Sequence, residues 1–285
     1  MKVILLSDPL TFLVRTRDFR SGEPYLTNVM GSVATSVATG QRTYDQSFWW
    51  VIEDATGVTR AMMMRTAPHK LVLSPMPDEA VAVAATAVLE HDPEIPGVTG
   101  SRTLVDRFIA AFAVGSPRHL EPTVERCLWI YKLGPLKAAQ PAPGSFRVAD
   151  DTDFDLLGPW WWAFAEETNV ERYGLEEGLR GALAQGRVSL WSHDGRPVCA
   201  VGTSPVVDVP SGSIVRVGPV YTPPEHRRRG YAGQLTGTVS SRLVDEGHRV
   251  MLFTDSFNAT SNGVYTRLGY EKIDEVVECS LEPLT

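Results

Sequence analysis

Residues 220–233 read VYTPPEHRRRGYAG. An apolar, β-branched run meets a double proline, then three arginines and a glycine, then a stretch with helical spacing. Proline cannot donate to a strand ladder, so Pro223 and Pro224 end the strand. Leu235, Val239 and Leu243 recur every four residues behind Gly230, which predicts a helix over 230–246 ended by Gly247. The first backbone N–H groups of such a helix have no intrahelical partner and point outward with the positive end of the helix dipole. A strand-to-helix turn of this kind is an anion site. Gly230 has no Cβ, Ala232 is small, and Arg227, Arg228 and Arg229 add charge suited to a pyrophosphate. Three arginines in a loop are by themselves no more than a solvated turn; the flanking strand and helix give them meaning. A Walker loop is excluded because no Gly-Lys-Ser/Thr follows, and no Gly-x-Gly-x-x-Gly is present here.

Outward from this turn, the C-terminal half has a regular order. A strand at 146–149 leads to helices at about 152–167 and 171–185. Strands follow at Val188–His193, 197–207 and 213–221, the first two joined by the hairpin signal Asp194-Gly195. After the 230–246 helix come a strand at 249–254, a helix at Ala259–Leu268 and a last strand at 270–281. The N-terminal half repeats part of that order. A helix at 25–39 precedes strands at 48–53, 58–66 and Leu71–Leu73. A helix at 78–90, a brief strand at 98–99, a helix at 103–113 and a strand at 124–133 complete it. The halves read as diverged copies. The segment 138–145, AAQPAPGS, is the linker candidate, giving domains 1–140 and 141–285.

The turn and the segment NATSNGVYTRLGY at 258–270 together carry a resemblance. Arg227-x-x-Gly230-x-Ala232 resembles the Arg/Gln-x-x-Gly-x-Gly/Ala signature of the GNAT superfamily of N-acetyltransferases. The 258–270 segment is similar to the stretch after that family's fifth strand. The resemblance implies an α/β (α+β) fold of two tandem GNAT-like domains, each a mixed, mostly antiparallel sheet flanked by helices. It implies acyl-CoA-dependent N-acyl transfer, with acetyl-CoA or another short acyl-CoA as cosubstrate and no metal. Val220, Tyr221 and Thr222 would offer backbone groups to the pantetheine and acyl carbonyl. Arg227, Arg228, Arg229, Gly230, Tyr231, Ala232 and Gly233 would surround the pyrophosphate, and Asn258 would meet the pantetheine. Tyr265 would protonate the leaving thiolate.

Beside those roles stand ordinary ones. Asn258 is equally a helix N-cap, and Tyr265 a core aromatic. For the base that takes the amine proton, Glu166, Glu167, Glu225, His226 and Asp255 are candidates. Asp255 follows the fifth strand, near where an acceptor could sit, though a turn-capping carboxylate fits it too and a water chain could do the same work. Trp160-Trp161-Trp162 cannot all face one pocket from a helix. In the first half the matching turn, residues 73–80 (LSPMPDEA), has no arginine or glycine. Asp78 and Glu79 put negative charge at that helix start, so this copy is expected to bind no acyl-CoA.

The formal net charge of −7 argues against nucleic-acid partners, which need a basic face. It fits a small-molecule amine acceptor. Cys127, Cys199 and Cys279 are too few and too dispersed for a disulfide framework or zinc site. The opening MKVILLSDP stops too soon for a signal peptide, and no run is long enough to span a membrane. A cytoplasmic monomer or homodimer is the expectation. A second class of function, a non-catalytic acyl-CoA binding or sensing protein, stays open because no base is evident.

Overall fold

The computed structural model of the protein describes residues 1–283. It divides into two compact units. Among the described residues, unit 1 comprises 1–128, 209–211 and 275–283, and unit 2 comprises 129–208 and 212–274.

In unit 1 the chain runs β1 (Lys2–Leu6), α1 (Pro9–Arg15), α2 (Arg17–Gly22), α3 (Asn28–Ala38), β2 (Ser47–Glu53), β3 (Thr59–Thr66), β4 (Leu71–Leu73), α4 (Asp78–His91), β5 (Gly97–Gly100), α5 (Arg102–Gly115) and the start of β6 (Leu120–Leu133). Its neighbours pair antiparallel except β4 and β5, which are parallel with Leu71 opposite Val98. Side chains alternate along β2. Trp50 and Ile52 pack towards α4 and α5, whereas Trp49 and Val51 pack with Phe12 and Met30. Both faces are therefore covered, and Met62, Met63 and Met64 are buried in succession, as strands covered on both sides require.

Unit 2 contains β7 (Ser145–Val148), α6 (Phe154–Thr168), α7 (Leu175–Ala184), β8 (Val188–His193), β9 (Arg196–Thr203), β10 (Val207–Val209), β11 (Gly212–Tyr221), α8 (Tyr231–Asp245), β12 (Arg249–Asp255), α9 (Ala259–Leu268) and the start of β13 (Tyr270–Pro283). β11 and β12 are parallel, and α8 makes the crossover between them. Tyr231, Leu235 and Val239 of α8 pack with Cys199 and Val201 of β9, while Ala200 between them turns to the α6–α7 side. Each large apolar side chain buried this way contributes about 1.5–3 kcal/mol. Asp150 caps the short turn before α6 by accepting from Thr152 N–H, and Arg147 clamps Asp153 with two bonds of 2.7 and 2.6 Å.

The expected α/β class and mixed sheets are present. Two local expectations differ from the structure, and one stretch holds elements that none anticipated. Residues 2–22, for which no element is expected from the sequence, form a strand and two helices; Asp8 caps α1 by accepting from Thr11 N–H at 2.8 Å. The strand expected over 197–207 is β9 and β10, separated where Ser204 turns to accept from Arg216 N–H. The boundary expected near residue 140 is found within β6, after Leu128, and the 138–145 segment belongs to unit 2. It is packed rather than loose. Ala139 and Ala142 lie on the α8 core, Trp191 Nε1 donates to Pro143 O at 3.0 Å, and a Cβ at Gly237 would meet that of Ala139 at 3.1 Å.

Gly269 fixes the return from α9 into β13. Its φ is +98°, and a Cβ there would lie 2.3 Å from Pro135 O. Gly269→Ala should lower the unfolding free energy by about 2–3 kcal/mol in urea denaturation. An unchanged midpoint would show that this corner is not needed.

Candidate active site

The site begins where β11 leaves β12. Their parallel register runs from Ile214 opposite Arg249 to Val217 opposite Leu252 and stops, although β11 continues to Tyr221 and β12 to Asp255. At that point Gly218 has φ +143° and Pro219 offers no N–H. The register with β9 also shifts between Val217 and Val220, then resumes with Val220 opposite Val201 and Tyr221 opposite Ala200. The far part of β11 is thus paired on its β9 side and has no register with β12. Backbone groups at such an edge seek a partner, as the expected role of Val220, Tyr221 and Thr222 requires.

The turn below carries the second part. Residues Pro224–His226 form a short 3-10 turn, Arg228 has φ +62° and Gly230 has φ +82°. The left-handed conformation at Gly230 starts α8 with no side chain capping it. The first N–H groups of α8 are therefore uncapped, and Arg228 and Arg229 are exposed beside them. Ala232 and Gly233 are half-buried. Two residues of the expected anion set have other side-chain duties. Tyr231 is buried in the core, with its hydroxyl 2.6 Å from His193 Nδ1. Arg227 donates from Nε to Thr222 O at 2.8 Å and from Nη2 to both Glu167 oxygens at 2.7 and 2.8 Å.

The third part is α9. Asn258 is its N-cap, accepting from Ser261 N–H at 3.0 Å. Asp255 accepts from Phe257 N–H at 2.8 Å through Oδ1, closing the turn that precedes it. Tyr265 is buried on the inner face, its ring 6.0 Å from that of Tyr270. Burial, then the neighbouring Cys199, hold the Tyr265 hydroxyl above the ordinary tyrosine range. No hydrogen-bond partner engages that hydroxyl among the described residues, whereas Tyr270 has Ser240 at 2.7 Å. Burial pushes the Cys199 thiol up to about 12, and Thr222 Oγ1 donates to its sulfur at 3.2 Å. Asn262 went unnoticed in the sequence, where it reads as one more polar helix residue. It is buried one turn before Tyr265, donates to Asp255 O and Ser256 O, and leaves its Oδ1 without a partner.

The three tryptophans part company. Trp161 is core, Trp160 packs its ring 6.1 Å from that of Tyr221, and exposed Trp162 donates to Glu176 beneath Arg172. A separate cavity of about 210 Å³, lined by Phe146, Val239, Arg242 and His248, opens further along α8. At about 1.5 Å per residue it begins roughly 14 Å from Gly230, away from the parted strands. In unit 1 the corresponding α4 starts after Pro77 with Asp78 and Glu79 in its first turn, and Arg107 pairs with Asp78. No cluster of metal-ligating side chains occurs among the described residues, nor is any helix there long and apolar enough to cross a membrane.

Residues 208–278, about a quarter of the chain, match the family model described as FR47-like protein. No curated protein matches the sequence significantly. Among solved structures, a GCN5-related N-acetyltransferase from Sphaerobacter thermophilus is 15% identical with a TM-score of 0.62, covering 99% of this chain and 96% of that one. A GNAT-family acetyltransferase from Colwellia psychrerythraea is 11% identical with a TM-score of 0.61, covering 99% and 100%. A tandem GNAT protein from the clavulanic acid biosynthesis pathway is 14% identical with a TM-score of 0.54, covering all of both chains. The chain shares its fold, along its whole length, with these solved acetyltransferases.

The cap at Asn258 gives a direct check on its structural role. Asn258→Ala should lower stability by about 1 kcal/mol, and Asn258→Asp, which keeps an acceptor for Ser261 N–H, should lose much less. Equal losses in thermal unfolding would remove the cap from the account.

Proposed function

We propose that the protein is an acyl-CoA-dependent N-acyltransferase that moves an acetyl or short acyl group onto a small-molecule amine, with its coenzyme site in unit 2. The observation that carries this reading is the conjunction of the parted β11 edge with the uncapped start of α8. The first offers amide groups to a pantetheine arm, and the second offers N–H groups to a pyrophosphate. The residues present fit such a ligand. Arg228 and Arg229 are exposed at the turn, and Gly230 leaves its backbone open to close approach.

In this reading the amine attacks the thioester carbonyl directly. The carbon–nitrogen bond forms, the carbon–sulfur bond breaks, and a backbone N–H on the free side of β11 supports the oxyanion. Tyr265 gives its proton to the departing thiolate. Its hydroxyl has no partner among the described residues and so is left to meet the sulfur, although burial, by raising its pKa, makes it a weaker acid than an exposed tyrosine. Asp255 is the proposed base. Its Oδ1 is occupied by Phe257 N–H, which leaves Oδ2 for the proton of the amine. Unit 1 is proposed to bind no acyl-CoA, because two carboxylates stand in the first turn of α4 where arginines and a left-handed glycine stand at the start of α8.

Calorimetric titration with acetyl-CoA should give one site per chain, weakened at least about tenfold by Arg229→Glu through charge reversal beside the pyrophosphate. Two sites would overturn the proposal for unit 1. No binding would overturn the whole reading. With an amine found by screening for thiol release, Tyr265→Phe should lower turnover about 10²-fold and leave acetyl-CoA affinity within about twofold. Tight binding with no turnover on any amine would favour a sensing protein instead.

A further inference from the structure

Arg227 occupies the first position of the signature around the phosphate turn, yet its guanidinium is already taken. Nε donates to Thr222 O, Nη2 donates to both oxygens of Glu167, and the group lies 5.8 Å from the centroid of the Tyr221 ring. Glu167 stands near the end of α6, 60 residues away in sequence. The Glu167 hydrogen bond raises the Arg227 pKa. Burial and then the Glu167 charge raise that of Tyr221. The two charged side chains remain 41% and 44% exposed, so solvent screens the pair and it is readily exchanged. A coenzyme pyrophosphate would bring a stronger anion than one carboxylate to the start of α8.

Resting on the reading above, we propose that Glu167 and the coenzyme pyrophosphate compete for Arg227. Without coenzyme, Glu167 holds the guanidinium against Tyr221. When the pyrophosphate settles on the N–H groups of α8, Arg227 swings to it and Glu167 is released. A carboxylate then stands uncovered beside the Tyr221 and Trp160 rings, next to the strand edge where the acyl group would lie. Those groups suit the ammonium form of an acceptor. Coenzyme binding thus uncovers a cation-binding position, and the protein's own guanidinium fills that position until then.

The exchange predicts a tightening that depends on Arg227. Removing a charge from the protein should tighten coenzyme binding, because Glu167 no longer competes. Calorimetry with coenzyme A should show Glu167→Gln binding roughly two- to fivefold tighter than the wild type, the range an exposed ion pair allows. Arg227→Gln should bind more weakly. The tightening should vanish when Glu167→Gln is added to Arg227→Gln, since nothing is left to compete for. If Arg227 only braces α6 against β11, Glu167→Gln will bind coenzyme A equally or more weakly, and the exchange is wrong. A tightening that persists in the double variant would also overturn it, because it would reflect only the lost negative charge. Thermal unfolding of each variant checks that all three fold. A wild type that does not bind coenzyme A at all would refute the coenzyme site itself. A wild type that binds, with no effect of Glu167→Gln, would refute only the exchange.

Discussion

The separation of β11 from β12 after Val217 is the constraint on which the site depends. A parallel pair normally satisfies its inward N–H and C=O groups along its whole length. Here Gly218 and Pro219 interrupt β11, and the register with β9 slips at the same residues. β9 still holds the strand beyond the interruption through Val220 and Tyr221, so the edge on the β12 side is rigid as well as open. That edge feeds directly into the turn whose left-handed Gly230 starts α8. The helix is anchored to the same sheet by Tyr231, Leu235 and Val239. Backbone edge and helix start therefore belong to one packed body.

The two units share this strand–helix–strand core but differ where the anion would sit. β4, α4 and β5 of unit 1 repeat the parallel crossover of β11, α8 and β12. The turn into α4 is 74–77, with Ser74 bonded to Met62 of β3 and Pro77 immediately before the helix. It has neither a left-handed glycine nor arginines, and Asp78 and Glu79 already satisfy the helix dipole. A fold can keep its core packing while the charge at one helix start reverses, because that charge contributes little to the core. Packing preserves the architecture of unit 1, and electrostatics removes its phosphate turn.

What could be read in the sequence was what local chemistry enforces. Prolines at 223 and 224, glycine at 230 and the four-residue apolar spacing behind it leave few alternatives to a strand, turn and helix. Asn258 was legible as a cap for the same reason. The elements of residues 2–22 were hidden because β1 alternates imperfectly and α1 and α2 are each under two turns of strong signal. The 138–145 segment misled by composition. Alanine and proline mark a linker when nothing covers them, but here their small side chains fit against Gly237 and the α8 core. The Arg227–Glu167 pair, the Thr222–Cys199 bond and the buried Asn262 were out of reach. Each depends on which surfaces α6, β9 and α9 present to one another, and no local pattern specifies that.

Two buried tyrosines on one side of the unit 2 sheet show how similar environments separate structural from proposed chemical roles. Tyr265 and Tyr270 lie edge to face, and burial raises both hydroxyls above the ordinary range. Tyr270 is satisfied by Ser240, itself buried and bonded to Thr236 O, so its proton is committed to the core. Tyr265 has no such partner and neighbours Cys199, whose thiol is turned to Thr222 at the end of β11. A hydroxyl that no protein group engages is left for a ligand to complete. In the proposed reaction the coenzyme sulfur does so. It gains negative charge as the thioester breaks, where a neutral donor in a low-dielectric site is most effective. The arrangement thus favours a donor over a base at this position, and the proton from the amine must leave by another side chain.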